Sequence, residues 1–240
     1  MNGVSRFERK YLLDLDEYYP LRNRIRAFAE SDHYTRLAGH SYLVRSIYYD
    51  TRDYRAWYEK EDGDFGRIKL RIRAYTDRRD ACRTVSVEIK TKQANAMVKY
   101  ASHVPWEEYD EFVRTGSWPS YEDETVQEFE RLRQVRQLVP VCLVQYRREG
   151  FRARDGSAVR ITFDHGVEST RADWLFPESP ILKPHRPRKT IFEVKTREGE
   201  PDWLHGVVRR HALTLKANSK YWQGIEVIRP NMVTPRQVAP

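Results

Sequence analysis

The segment Ile68-Lys69-Leu70-Arg71-Ile72-Arg73 alternates without interruption between an apolar and a basic residue. Successive side chains of a β-strand point to opposite faces of its sheet, so this alternation predicts a strand with one apolar and one basic face. The same period of two recurs in residues 85–90, 159–164 and 191–195, again with charge opposite the apolar residues. These four segments therefore predict a sheet with a buried side and a strongly charged side.

Weaker signals for strands and helices surround these four segments. Further strand candidates are residues 6–12, 43–49, 97–104, 141–148 and 224–228. Helical spacing of apolar residues covers 16–30, 106–113, 122–138 and about 201–211. Strands outnumber helices, which predicts an α+β fold with its helices packed on the apolar side of the sheet.

The composition indicates a globular, basic protein. Of the 240 residues, 40% are hydrophobic and 12% are aromatic, which is enough for a sizeable core. We find no repeat and no low-complexity linker, so we predict a single domain over residues 1–240. The 43 lysines and arginines outnumber the 35 acidic residues and give a net charge of +8, which favours anionic partners.

The N-terminal sequence and the cysteines bear on the cellular location. The segment MNGVSRFERKYLL lacks the apolar run of a secretory signal, and no stretch approaches the ~20 apolar residues of a membrane helix. Cys82 and Cys142 show neither a disulfide framework nor a zinc-binding spacing. We therefore expect a cytoplasmic protein without a transmembrane segment, and the sequence leaves its oligomeric state open.

Two sheet geometries are consistent with the charged strand faces: an open sheet with one solvent-exposed face, or a closed barrel with a polar lumen. In either case basic side chains would crowd together and repel one another unless an anion lay between them. This reasoning predicts a polyanion site lined by Arg71, Arg73, Lys90, Arg160 and Lys195.

Carboxylates are interspersed among the predicted cations. Glu8, Glu88 and Glu193 fall on the same strand faces as the basic residues. Carboxylate oxygens are ligands for hard divalent cations, which commonly accompany phosphate groups in proteins. The pattern therefore predicts a divalent metal beside the anion. Asp164, by contrast, begins an Asp-His-Gly sequence and is interpreted as a turn residue.

A series of short motifs in order along the chain resembles a known family. The motifs are Arg6-Phe-Glu8-Arg-Lys10-Tyr11, Ser46-Ile-Tyr-Tyr-Asp50-Thr51, Lys69-Leu-Arg71-Ile-Arg73, Val87-Glu88-Ile-Lys90, Tyr146-Arg147-Arg148, Val159-Arg160-Ile-Thr-Phe-Asp164, Phe192-Glu193-Val-Lys195 and Ser219-Lys220-Tyr221. Together they resemble the VTC domain, which is the polyphosphate polymerase branch of the triphosphate tunnel metalloenzymes.

The resemblance implies a closed antiparallel β-barrel of about eight strands that forms a polar tunnel, with helices outside. It also implies that basic side chains hold ATP, triphosphate or polyphosphate and that acidic ones hold Mn²⁺ or Mg²⁺. The implied catalytic cations are Lys10, Arg71, Arg73, Lys90, Arg147 and Arg160. The implied substrate-binding residues are Arg6, Lys99, Lys195, Ser219 and Lys220, and the metal residues are Glu193 and Glu8.

Position 6 departs from the pattern of the hydrolytic relatives. Those relatives begin with Glu-x-Glu-x-Lys, whereas this chain has Arg6 in place of the first glutamate. The change removes a metal ligand and adds a phosphate ligand. It favours transfer of the γ-phosphoryl group of ATP to a polyphosphate chain over hydrolysis by a metal-dependent triphosphatase.

A nucleic-acid-binding module is a more distant alternative. The +8 charge and the basic runs at residues 147–148 and 183–189 would bind any polyanion. No helix-turn-helix, zinc or RNP-type motif is visible, however, and much of the positive charge lies on predicted strand faces. The physiological acceptor, the product length, the preferred metal and any need for partner proteins stay open at this point.

Overall fold

One antiparallel sheet organises the computed structural model, which describes residues 7–61, 68–93, 96–119, 122–196 and 199–232. The order along the sheet is β1-β10-β8-β7-β3-β4-β5-β6, with β2 paired to β7 and β9 to β8. The strands are β1 Phe7–Leu13, β2 Ala29–Ser31, β3 Tyr42–Asp50, β4 Ile68–Ala74, β5 Thr84–Gln93, β6 Ala96–Pro105, β7 Val139–Ala153, β8 Arg160–Thr170, β9 Lys183–Pro184 and β10 Thr190–Thr196. All four strictly alternating segments are confirmed as strands.

The sheet is open, so the prediction of a closed barrel is wrong. Closure requires the first and last strands to pair, and no pairing joins β1 to β6 within the described residues. The outer edge of β1 is instead covered by a later segment. Tyr11 forms an antiparallel bridge with Leu215, and the Lys216 amide donates to the Lys10 carbonyl at 2.9 Å. These contacts occupy backbone groups that a closing strand would need.

The open sheet nevertheless curves strongly. Glu8 on β1 contacts Lys90 on β5 at 3.2 Å, although five strands separate β1 from β5 in the sheet order. We call the side of the sheet on which these two residues meet the concave face. Because side chains alternate along each strand, the charged residues of β4, β5 and β10 share this face, and their apolar neighbours along the chain point to the convex side.

Seven helices lie in the described residues. They are α1 Leu15–Phe28, α2 His33–Leu37, α3 Arg55–Glu61, α4 Trp106–Thr115, α5 Glu124–Val135, α6 Asp202–Arg210 and α7 Lys220–Ile228. Local sequence fixes several of their starts: Asp14 and Glu17 form a capping box at α1, and Asp123 accepts from the Thr125 and Val126 amides at α5. None of the described helices is long and apolar enough to cross a membrane.

Two hydrophobic cores cover the convex side. In one core α4 and α5 pack on β3, β4 and β5, with Tyr109 and Phe129 fully buried. In the other, α1 and α6 pack on β1, β8 and β10, with Leu21 and Phe163 fully buried. Helices thus cover the apolar side of the sheet as the sequence predicts, which leaves the concave face as the place for polar chemistry.

The predicted strand at residues 224–228 is wrong, because this segment is part of helix α7. Ser219 caps the helix by accepting from the Trp222 amide at 3.4 Å. Tyr221 and Ile225, one helical turn apart, are buried against Tyr48 and other residues of a third core on the concave side. A short apolar run does not by itself distinguish a strand from a buried helix. Helix α7 therefore closes off part of the concave face.

The close approach of α7 to the sheet gives a testable prediction. A Cβ atom on Gly224 would lie 2.8 Å from both Cys142 Sγ and Ser169 Oγ. We expect Gly224→Ala to destabilise the fold by about 1–3 kcal/mol through overpacking. The matched control is Gly206→Ala in α6, where no atom lies within 4 Å and alanine should stabilise the helix by roughly 0.5–1 kcal/mol. Chemical denaturation measures the free energy of unfolding of both variants. Equal unfolding midpoints for Gly224→Ala and Gly206→Ala would contradict the close packing of Gly224.

Candidate functional site

Glu88 on β5 organises one group of cations on the concave face. Its side chain is 2% exposed and accepts from Arg71 Nε at 2.7 Å, while Lys99 Nζ lies 3.1 Å and Arg73 Nη1 3.8 Å away. Burial alone would raise the pKa of Glu88, but the three cations outweigh it and hold this pKa well below its ordinary value. Arg71 also donates to the Tyr48 hydroxyl at 2.9 Å, so its guanidinium is fixed from two sides.

A pair of carboxylates, Glu8 on β1 and Glu193 on β10, forms a second group. Glu8 binds Lys10 at 2.8 Å and Lys90 at 3.2 Å, and Glu193 binds Lys195 at 2.7 Å. Burial and the charge of Glu193 raise the pKa of Glu8, yet Lys10 and Lys90 leave it lowered overall. Burial likewise opposes ionisation of Glu193, but Lys195 and Lys10 hold its pKa well below the ordinary value. Both carboxylates are therefore ionised at neutral pH.

Asp164 on β8 holds the third group. This fully buried carboxylate accepts from Arg148 Nε at 2.6 Å and Nη2 at 2.8 Å, and Lys220 Nζ lies 2.6 Å away. Burial opposes its ionisation, but Arg148 and Lys220 lower the pKa of Asp164 far below its usual range. Lys220 is the first residue of α7, so this ion pair ties the helix to the sheet. Asp164 is a central charged residue of the face and is not the turn residue expected from the sequence.

Two further predicted residues lie at the margins of this face. Arg160 Nη2 contacts Asp32 at 3.2 Å, and Asp32 itself caps α2 by accepting from the Thr35 amide. Ser219, the cap of α7, accepts from Lys69 Nζ at 3.3 Å. These contacts tie the cationic face to two helix starts, one at α2 and the other at α7.

The structure brings together most of the predicted residues but not all of them. Arg6 lies outside the described residues. Arg147 is exposed and does not join the concave face, whereas the neighbouring Arg148 is buried there. The pairing of β7 with β8 shifts register between Gln145 and Arg147, but the extra residue lies on β8, so the alternation along β7 is unbroken. Alternation from Tyr146, whose ring lies under both Arg148 and Lys220, would have selected Arg148.

The ion pairs described above join eight cations of this face to four carboxylates, an excess of positive charge. The cations are Lys10, Arg71, Arg73, Lys90, Lys99, Arg148, Lys195 and Lys220, and the carboxylates are Glu8, Glu88, Asp164 and Glu193. Burial lowers the pKa values of Lys90 and Lys195 even though each contacts a carboxylate. A polyanion would relieve this stored repulsion, so the arrangement is chemically suited to bind a chain of phosphates.

Lys99 gives this site a predicted pH dependence. Partial burial lowers its pKa to about 8, Glu88 opposes the shift, and Arg71 and Arg73 reinforce it. The ammonium form, which attracts phosphate, is present below that pH and is lost above it. We therefore expect the affinity for tripolyphosphate to fall by up to about tenfold between pH 7 and pH 9.

The matched variant for this pH dependence is Lys99→Arg, because arginine stays charged over the whole range. Calorimetric titrations at both pH values should show a smaller loss of affinity for the variant than for the wild type. This comparison also cancels the titration of the ligand itself. The same loss in both proteins would contradict the assignment of this titration to Lys99.

Comparisons of sequence and structure relate the chain to known proteins. The chain belongs to the VTC domain family, whose family model matches residues 5–229. No curated protein sequence matches the chain significantly. Among solved structures, a "putative adenylate cyclase" from Bacillus halodurans aligns with a TM-score of 0.56 and 15% identity over 91% of this chain and 96% of that chain. At this identity the likeness shows the fold alone.

Two other solved structures align over a similar extent. A Vibrio parahaemolyticus protein described in the same words gives a TM-score of 0.48 at 12% identity, covering 92% of this chain and 98% of its own. A protein from Pyrococcus horikoshii OT3 gives 0.46 at 15% identity, covering 92% and 99%. Membership of the VTC family therefore rests on the sequence match.

Proposed function

We propose that this chain binds ATP along the concave face and transfers its γ-phosphoryl group to the end of a polyphosphate chain, releasing ADP. The observation that carries the proposal is the excess of cations held at fixed positions by Glu88, Asp164, Glu8 and Glu193. Membership of the VTC family supports the same class of substrate.

The cations are spaced for phosphates. Arg71 and Arg73 lie on one face of β4, two residues and therefore about 7 Å apart. Two guanidinium groups carried on one strand face can bind different phosphates of one anhydride chain, and each can bind two oxygens at once. Both side chains are already anchored, Arg71 to Glu88 and Arg73 Nε to the Ser46 hydroxyl at 3.1 Å. A site so fixed needs little rearrangement when the ligand binds.

Phosphoryl transfer requires no protein nucleophile. The attacking oxygen of the acceptor phosphate displaces ADP from the γ-phosphorus, so one P–O bond forms as another breaks, and the negative charge passes to the ADP oxygen. The protein has to align both oxygens and neutralise the equatorial oxygens of the transferred group. Lysines and arginines on several strands can do both.

A divalent metal, Mn²⁺ or Mg²⁺, is part of the proposal. Among the described residues no group of three or more His, Cys, Asp or Glu side chains could hold a metal ion. Glu8 and Glu193 offer two ionised, neighbouring carboxylates, and Mg²⁺ commonly binds through one or two carboxylates together with phosphate oxygens and water. When bound, such an ion would supply further neutralisation of the phosphate charge.

Hydrolysis of the triphosphate by water is the second candidate. It uses the same cations and differs only in the acceptor. Arg6 in place of the first carboxylate of the hydrolase motif favours an anionic acceptor over a metal-bound water. A nucleic-acid-binding role is less well supported, because the cations named above lie on the concave face and are held in ion pairs. That role would be favoured if the protein shifted the gel mobility of DNA in a salt-dependent way and still did so after Arg71 and Arg73 were substituted.

The experiment is an incubation of the purified chain with ATP and Mn²⁺ or Mg²⁺, with and without a short polyphosphate primer. Gel electrophoresis reads polyphosphate, and coupled assays read ADP and free phosphate in the same reaction. The proposal requires polyphosphate and ADP with little free phosphate. If free phosphate is released in equal amount to ADP and no polyphosphate forms, the polymerase proposal is wrong and the triphosphatase activity takes its place. Arg6→Glu, which restores the hydrolase motif, should shift the product ratio toward free phosphate.

A further inference from the structure

Three tyrosines form an aromatic cluster beside the cationic face. Tyr34 on α2 stacks on Tyr75, which directly follows β4, with ring centroids 5.6 Å apart and planes 11° from parallel. Tyr42 on β3 lies 5.7 Å from Tyr34 and 6.0 Å from Tyr75. Tyr42 is only 7% exposed, but Tyr34 is 46% and Tyr75 38% exposed. The cluster therefore has a buried base and a stacked pair open to solvent.

This cluster borders the phosphate-binding cations on three strands. Tyr42 pairs directly with Arg148 across β3 and β7. Arg73 lies two residues before Tyr75, about 7 Å along the chain direction of β4, and the two are close enough to interact electrostatically. Arg160 and Asp32 lie next to Tyr42, and Asp32 starts the helix that carries Tyr34. Aromatic rings and phosphate ligands thus meet at one end of the concave face.

The juxtaposition defines the chemistry of a ligand. Cations two residues apart on a strand suit phosphates, and exposed aromatic faces suit a planar, unsaturated ring. A nucleoside triphosphate carries both groups on one molecule, whereas inorganic tripolyphosphate carries only the first. Stacking of a base on an aromatic side chain contributes affinity with little dependence on which base it is, because every base has a π-face.

We propose that the Tyr34–Tyr75 stack is the base-binding subsite for a nucleoside triphosphate whose phosphates run from Arg73 toward Arg71. The inference rests on the proposed function and extends it, since it assigns a place and an orientation to the nucleotide. The base lies at the α2 end, and the sequence Tyr75, Arg73, Arg71 leads along β4 from the base to the transferred phosphate.

The experiment compares a triphosphate that carries a nucleoside with triphosphates that carry neither base nor ribose, and the tyrosine variants below assign the difference to the base. Calorimetry on the full chain measures the affinities for ATP, methyl triphosphate and tripolyphosphate. Methyl triphosphate keeps the ester and the charge of ATP but has no base. For the wild type we expect ATP to bind about tenfold more tightly than methyl triphosphate. Equal affinities would overturn the subsite without any variant.

Variants locate the effect. Tyr34→Leu and Tyr75→Leu should each weaken ATP binding about tenfold and leave tripolyphosphate binding within about twofold, while Tyr34→Phe should bind ATP like the wild type. Tyr58→Leu is the matched control, because Tyr58 is also 46% exposed but lies on α3 against Trp57. Unchanged ATP affinity, or an equal loss for both ligands, would overturn the subsite.

The proposed function and the base-binding subsite fail under different outcomes. If the wild type binds neither ATP nor tripolyphosphate, the proposed function fails and the subsite fails with it. A second outcome is that the wild type binds both ligands while the tyrosine variants keep the wild-type ratio of ATP affinity to tripolyphosphate affinity. In that outcome only the base-binding subsite fails, and the phosphate site is retained.

Discussion

Asp164→Asn is expected to destabilise the fold by about 3–5 kcal/mol, because the variant leaves two cations without their counter-charge. The carboxylate is fully buried, and Arg148, at 7% exposure, cannot turn out to water without breaking its packing. Lys220 loses the same partner, which loosens the start of α7. Chemical denaturation measures the loss. The substitution keeps the size of the side chain, so a cavity does not contribute to the result.

Tripolyphosphate adds a second readout to this prediction. An anion on the concave face would restore negative charge beside Arg148 and Lys220, so the ligand should raise the melting temperature of Asp164→Asn more than that of the wild type. The control is Asp80→Asn, because Asp80 forms an ion pair with Arg78 on the exposed surface, where solvent screens the interaction. A loss for Asp164→Asn as small as that of the control would show that Asp164 does not balance the buried cations.

Glu193→Gln is expected to lower turnover of ATP by at least about a hundredfold while leaving tripolyphosphate binding intact or stronger. The side chain is 5% exposed, and glutamine keeps its size but not the charge that a divalent ion needs. Removing a negative charge also increases the excess of cations on the face. A split between lost turnover and retained binding would therefore separate a metal-holding role from a role in binding phosphate.

Steady-state kinetics with ATP and Mn²⁺ and calorimetry with tripolyphosphate supply the two measurements for Glu193. The matched control is Glu200→Gln, since Glu200 is also a largely buried carboxylate, with 7% of its side chain exposed, and pairs with Arg9. Parallel losses of turnover and binding in Glu193→Gln would mean that Glu193 positions Lys195 and does not hold a metal. Full turnover in the variant would mean that Glu193 only pairs with neighbouring cations and has a structural role.

The alternation of apolar and charged residues predicts a strand well where every second side chain is buried in a core. The segment of β4 was predicted to within one residue, because its apolar set faces a core under α5 and its basic set faces the concave side. The segment that became α7 was predicted wrongly, since its apolar residues are packed by tertiary contacts with Tyr48 and Cys142 that no local pattern contains. The short strands β2 and β9 were missed, because only pairing with β7 and β8 defines them.

The candidate site shows the same division. Alternation placed Arg71, Arg73, Lys90 and Lys195 on charged faces, and the structure brings these residues together. Arg147 was taken from the family resemblance, whereas alternation from the buried Tyr146 places Arg148 on the charged face and Arg147 on the opposite one. Asp164 was interpreted as a turn residue, because its role depends on Arg148 and on Lys220, which is 56 residues further along the chain.

The sequence by itself determined that this protein has charged strand faces with an excess of cations, since side-chain direction along a strand depends only on local geometry. Whether those faces close into a barrel was decided by the tertiary structure. Closure depends on which backbone groups the edge strand β1 leaves free, and Leu215 and Lys216 take them. The tertiary structure also determines how the cations of the concave face are neutralised, because each of them pairs with a carboxylate that the fold brings close to it.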